Sequence, residues 1–206
     1  MKKFVPTTSV FLLFLAVAAC APATPAVKTE PPTQQVAPGE PYHPLTSQTG
    51  IQTIDQVLQA VAGGDSDALH PLIEFIDAVC THQDGLGGPP KCRQGEVEGT
   101  PVEVLAFLSS EGSYLRRQEI DQWTGVEAAG VYAVYDVNEA AVSSEEYFPV
   151  GNYVILLVHG ENQAATALRI GEIGIVRVDT IGDSSPTNLN AMIEREASVV
   201  LLAPKS

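Results

Sequence analysis

The chain has 206 residues, with 25 Asp and Glu against 11 Lys and Arg, a net charge of −14 and 45% hydrophobic residues. So large a negative surplus repels polyphosphate and anionic headgroups, which argues against nucleic-acid binding and against a protein lying flat on an acidic membrane. The hydrophobic content is that of an ordinary folded domain. In chain order the first element is a leader: Lys2 and Lys3, then an apolar stretch over 10–19 broken only by small side chains. A cationic start, a short hydrophobic stretch and small residues before a cut are what the export machinery and a signal peptidase read. The stretch is close to the short end for a spanning helix, and nothing downstream is apolar over enough residues to cross a bilayer.

The leader closes with Val17, Ala18, Ala19 and Cys20. These four residues resemble the lipobox of bacterial lipoproteins, which has Leu or Val three positions before the cut and small residues in the next two. The resemblance implies a signal peptide over 1–19, a cut before Cys20, and fatty acyl groups such as palmitate on the Cys20 sulfur and usually on its new amino group. Each buried methylene contributes about 0.8 kcal/mol, so two or three chains hold a protein firmly on the extracytoplasmic side of a membrane. A plain secretory leader or an uncleaved anchor is the alternative. Ala21 stands where an Asp would resemble an inner-membrane retention signal, so sorting to an outer membrane is allowed in a cell that has one.

Residues 20–50 are rich in Pro, Thr, Ala and Gln and nearly empty of large apolar side chains. Such a segment buries too little to offset its ordering entropy, and its prolines stiffen it toward an extended spacer of about 3.1 Å per residue. Residues 51–206 then form one stretch of globular composition, expected to be a single domain. Ile51, Ile54, Leu58 and Val61 recur at helical spacing, with Thr49 or Thr53 placed to cap the start and Gly63 and Gly64 to stop it. Asp65 or Asp67 is placed to cap a second short helix through Leu69, and Pro71 breaks or restarts it. With the apolar segment up to Val79, this reads as a helical hairpin. Residues 85–90, Gly-Leu-Gly-Gly-Pro-Pro, are an irregular loop.

Beyond the loop, 102–108 alternates as a strand, and Leu115, Ile120 and Trp123 suggest a short helix. Residues 131–137 and 153–158 read as strands, the second buried on both faces. Residues 166–170 and 173–181 form a hairpin, followed by a helix around Leu189, Met192 and Ile193 and an apolar 199–202. Helices followed by a run of strands indicate an α+β domain, with the N-terminal helices packed on one face of a curved, mainly antiparallel sheet. That element order resembles the cystatin-like cone of the nuclear-transport-factor-2-like superfamily, which implies a helical layer over a bent sheet with a pocket between. The segment 80–92, from Cys80 to Cys92, is also similar to one recurring in uncharacterised exported bacterial proteins.

Cys80 and Cys92 are the cysteines left in the domain once Cys20 is acylated, and in an oxidising compartment they read as one disulfide worth roughly 3 kcal/mol. A metal site built from Cys80, His82, Cys92 and Asp84 competes with this, but no fourth partner of the usual pattern is evident. Pro89, Pro90 and Cys92 argue against a phosphate cradle at Gly85, Gly87, Gly88 and Lys91. Asp65 and Asp67 suit helix capping better than calcium, and the pairs Glu96 with Glu98 and Glu145 with Glu146 suit a solvated acidic surface. No cofactor or metal is implied. His159 follows the buried strand and is the candidate base, with Tyr132, Tyr135, Asp136 or Arg177 as neighbours across the sheet; Tyr135, Tyr153 and His159 are the candidate ligand-binding set. No hydrolase elbow or zinc-protease motif is present. Three functions remain in play: a lipid-anchored extracytoplasmic module binding a small ligand or a protein partner without catalysis, a cone-type hydrolase or isomerase using His159 with a nearby carboxylate, and an inhibitor or assembly factor that presents the Gly-Pro loop to a partner. A loop stapled by Cys80 and Cys92 would be pre-organised for a protein partner.

Overall fold

The computed structural model describes residues 42–85, 87–138, 140, 142, 147–160 and 164–205. The leader, Cys20, the linker up to residue 41, Glu145 and Glu146 lie outside the described residues.

Helix α1, Gln52–Gly63, forms where the apolar spacing places it, with Ile54, Val57, Leu58, Ala60 and Val61 buried. Its opening differs from a simple side-chain cap. Ile51 holds the cap position, and the Asp55 carboxylate reaches back to accept from the Thr49 backbone N–H at 2.7 Å, the Thr49 hydroxyl at 2.9 Å and the Gly50 N–H at 3.1 Å. The helix stops at Gly64, whose φ of 64° a residue with a side chain adopts at a cost. A single turn, α2 (Ser66–Leu69), is capped by the Asp65 carboxylate, and Pro71 starts a 3-10 turn over His70–Leu72.

From here the structure corrects the helical hairpin: the chain straightens into strand β1, Ile76–Val79. Residues 101–108 give β2 (Pro101–Leu108), and the expected helix around Leu115 is instead β3, Gly112–Arg116, folded back on β2, with a 3-10 turn over Arg117–Gln122. Leu115, Ile120 and Trp123 are five and three apart, a spacing that keeps no helical stripe, whereas Leu115 pairs Leu105 across the hairpin. Strands β4 (Gly130–Val137), β5 (Tyr153–Val158), β6 (Ala165–Ile170) and β7 (Ile175–Ile181) follow the sequence reading, then α3 (Pro186–Glu196) and β8 (Ala197–Leu202).

The eight strands form one mixed sheet in the order β1-β2-β7-β6-β5-β4-β8, with β3 also on β2, and only β2 with β7 runs parallel. The domain is α+β. Its helices divide between the two faces. Helix α1 packs with Leu105, Val131, Val134, Ile155, Leu157, Leu168 and Ile170 on one side. Leu189 and Ile193 of α3 pack with Tyr132, Tyr135, Val154, Leu156, Ala165 and Ala167 on the other. A β-bulge in β4 between Val131 and Ala133 turns Tyr132 and Ala133 to the α3 side together, leaving Val131 and Val134 for α1. Residues that composition groups with the linker join this body: His43 bridges Val131, and Leu45 is buried in the α1 core.

Candidate functional site

Two strands that read as nearly continuous apolar runs each carry an arginine on the α3 side. Arg169 of β6 stands directly opposite Arg177 of β7, and both are buried. Two guanidinium groups face to face repel. Asp179, two residues along β7 and therefore on the same face, relieves this by accepting from both: Oδ2 from Arg169 Nε at 2.7 Å and Arg177 Nη2 at 2.8 Å, and Oδ1 from Arg177 Nε at 2.6 Å. Glu196, the last residue of α3, completes the network. Its Oε2 accepts from Arg169 Nη2 at 3.0 Å and from the Tyr135 hydroxyl at 3.2 Å, and its Oε1 accepts from Arg195 Nη2 at 2.6 Å. A carboxylate at the negative end of a helix is unfavourable by itself, and here the two arginines offset that. Burial and the neighbouring Glu196 push the Tyr135 hydroxyl far above its ordinary pKa, so it stays a donor.

Beside this network, α3 leaves part of the sheet uncovered. A cleft of about 510 Å³ lies there, lined by Leu108, Ile181, Asn188, Met192 and the arginines and carboxylates of the network. Backbone carbonyls from the segment before β5 also hold the two arginines, with Val150 O accepting from Arg169 Nη1 and Phe148 O from Arg177 Nη1.

The sequence-derived set does not assemble into one pocket. Tyr135 is fully buried on the α3 side, whereas Tyr153 packs on the α1 side, since Tyr135 pairs Val154 and the next position of the strand pairs Tyr153. His159 stands at the end of β5, where Nε2 meets the Thr166 hydroxyl at 2.8 Å. It lines a cleft of about 280 Å³ with Glu127, Ala128, Ala129 and Gly160. Burial lowers its pKa and Glu127 opposes that, which favours neutral imidazole at pH 7. The neighbours expected for His159 are engaged elsewhere: Tyr132 donates to Asn190 Oδ1, Asp136 accepts from the Ser198 hydroxyl, and Arg177 belongs to the α3 network.

Cys80 and Cys92 form a disulfide, with Cα atoms 4.8 Å apart. His82, Glu96 and Glu98 lie near the two sulfurs, but sulfurs joined to each other are no longer thiolate ligands. The stapled loop is fastened on every side: Thr81 N–H donates to Pro90 O, Cys92 N–H to Thr81 O, Lys91 Nζ to Gln83 O, and the Tyr114 hydroxyl to Gly88 O at 2.7 Å. Arg116 grips Glu96 with two nitrogens and donates to Lys91 O, which holds the Glu96 carboxyl down at about 2 from its ordinary 4.5. A cleft of about 390 Å³ lies between this loop and β3. Asp65 is a helix cap, as its sequence position suggests.

Sequence reasoning missed Arg169, Asp179 and Glu196. The signal was present: an arginine at an inward position of two adjacent apolar runs, with an aspartate two residues after the second, cannot stay buried alone. No helix among the described residues is long and apolar enough to cross a membrane. Compared with known proteins, the chain matches no family model, no curated protein and no solved structure.

Proposed function

We propose that the protein is an extracytoplasmic lipoprotein, anchored by acyl chains on Cys20 and held off the bilayer by the Pro-rich stretch between Cys20 and the folded body that His43 and Leu45 join. Its folded part, a cone-like curved sheet with helices, is a binding module without catalytic activity, and the ligand occupies the cleft beside α3. One observation carries the reading: this cleft sets four buried charged side chains, Arg169, Arg177, Asp179 and Glu196, against open volume, where the cleft beside the disulfide loop has Arg116 alone. The engagement of Tyr132, Asp136 and Arg177 with partners other than His159 supports a binder over an enzyme, because a catalytic set has to converge on one reacting atom.

Two experiments test this. Membrane fractionation should find the wild-type chain with membranes and the Cys20→Ser variant either released or stalled at the mass of the uncleaved precursor; a variant that is cleaved and still fractionates with membranes overturns the anchor. A small-molecule screen by NMR on the full chain should move resonances of Ser109, Thr180 and Asn188 together, and a screen that leaves all three unmoved overturns the binding site.

The hydrolase or isomerase alternative has one supporting observation, the placement of Glu127 in the cleft with His159. Cleavage of a simple activated ester faster by wild type than by His159→Ala would favour it.

A further inference from the structure

We propose that the cleft beside α3 takes a small organic carboxylate, held by Arg195 at the mouth and by the remaining N–H groups of Arg169 and Arg177 below it. This rests on the reading of the cleft as the ligand site and adds the chemistry of the ligand. The argument is a mismatch between donors and acceptors. Every carboxylate oxygen of the network already accepts at least one hydrogen bond, and of the eight acceptor positions on the two acids six are used. Asp179 accepts at Oδ1 from Arg177 and at Oδ2 from both buried arginines, while Glu196 accepts at Oε1 from Arg195 and at Oε2 from Arg169 and Tyr135.

A guanidinium carries five N–H groups. Arg169 and Arg177 each place one on a carboxylate through Nε, one on a backbone carbonyl through Nη1 and one on a carboxylate through Nη2, so each has a second N–H on both terminal nitrogens. Charge shows the same surplus. Arg93 with Glu119, Arg116 with Glu96 and Arg117 with Glu103 are one-to-one pairs, whereas the cleft sets Arg169, Arg177 and Arg195 against Asp179 and Glu196. A ligand that only accepts hydrogen bonds and carries negative charge fits such a site, and a carboxylate matches the planar fork of a guanidinium. A cation finds both acids already paired with arginines and one acceptor position left on each, against two unused N–H groups on each buried arginine.

The rest of the cleft distinguishes an organic ligand from a bare ion. Its volume of about 510 Å³ far exceeds one anionic group, and Leu108, Ile181 and Met192 supply apolar wall beside the hydrogen-bonding side chains of Ser109, Thr180 and Asn188. The overall charge of −14 opposes any anion at long range, so retention has to come from a local surplus of donors of this kind.

The test titrates the full chain with benzoate, citrate and glucuronate, with the matched neutral compounds benzyl alcohol and glucose, and with inorganic phosphate, following cleft resonances by NMR and affinity by calorimetry. At least one carboxylate should bind saturably at Ser109, Asn188 and Arg195, its neutral counterpart should not, and Arg195→Gln should weaken the binding about tenfold, the loss expected for one charge-assisted hydrogen bond. Arg195 is 64% exposed and Arg169 still holds Glu196 without it, so this variant should keep the wild-type fold by circular dichroism, and Arg195→Lys should recover part of the affinity. Neutral compounds binding in the cleft as tightly as carboxylates would overturn the ligand class and leave the cleft as a binding site. Phosphate binding as tightly as every carboxylate would overturn an organic ligand in favour of a bare anion. Undiminished affinity in Arg195→Gln would overturn the role of the mouth, and absence of any probe from the cleft would overturn both this inference and the reading on which it rests.

Discussion

Asp179 is shared by two arginines that stand opposite one another in neighbouring strands, so its charge does more than complete a pair. Replacing it with Asn keeps the shape and leaves two adjacent buried cations facing one fewer anion. Loss of one partner from a buried pair typically costs about 3 kcal/mol or more, and Asp179→Asn should lower the denaturant midpoint accordingly with an unchanged slope. Glu96 gives a pH signature of the opposite kind. Arg116 and the Arg93 backbone N–H hold its carboxyl at about 2, against 4.5 when free, so the folded state binds this proton less readily than the unfolded state. The stabilisation is complete above about pH 4.5 and disappears as pH falls through about 2. Acid unfolding followed by circular dichroism should therefore be steeper in wild type than in Glu96→Gln between those limits. At this scale the sequence announced residues whose role is local: Asp65 as a cap, Gly64 as a helix stop, Cys80 and Cys92 as a staple. It concealed Arg169, Asp179 and Glu196, because their partners lie across strands or at the far end of a helix and only the register brings them together.

Elements were legible wherever a period ran long enough to commit the backbone. Strands β4, β5 and β6 have β-rich stretches of full strand length, and α1 has a four-position apolar stripe. Strands β1 and β3 were not legible, being four and five residues long and defined by their pairing with β2 rather than by their own pattern. The turn at Gly174 shows how tightly such short elements are set. A Cβ there would lie 2.1 Å from the Leu72 carbonyl oxygen, next to the bridge between Ile73 and Ile175 that ties the start of β1 to β7. Gly174→Ala should cost roughly 1–3 kcal/mol, as overpacking against backbone does, and thermal melting is the measurement. The disulfide is the other constraint at this level. Closing a loop with a separation of 12 residues should contribute about 3 kcal/mol, so the double variant Cys80→Ser, Cys92→Ser should lose that much and expose 83–90 to proteolysis first, while β5 and β6 keep their amide protection.

Across the described residues, α1 and α3 pack on opposite faces of one sheet, which puts Tyr135 and Tyr153 on different faces and His159 at the end of β5. The cleft proposed for binding lies at the margin of α3. The sequence could not locate that margin, since it depends on how far an eleven-residue helix reaches over strands whose order differs from their order in the chain.

That order has a further consequence. Strand β7 lies between β2 and β6, so the ribbon of β1, β2 and β3, which ends at Arg116, finds its lateral neighbour only after β4, β5 and β6 have been made. Under the export proposed above, β1, β2 and β3 would emerge before the strand that flanks them in the sheet. Completion of the sheet would then wait for the emergence of β7. Fragments ending before Ile175 should stay protease-sensitive throughout, and a nascent chain stalled at that length would depend on other proteins to shield it.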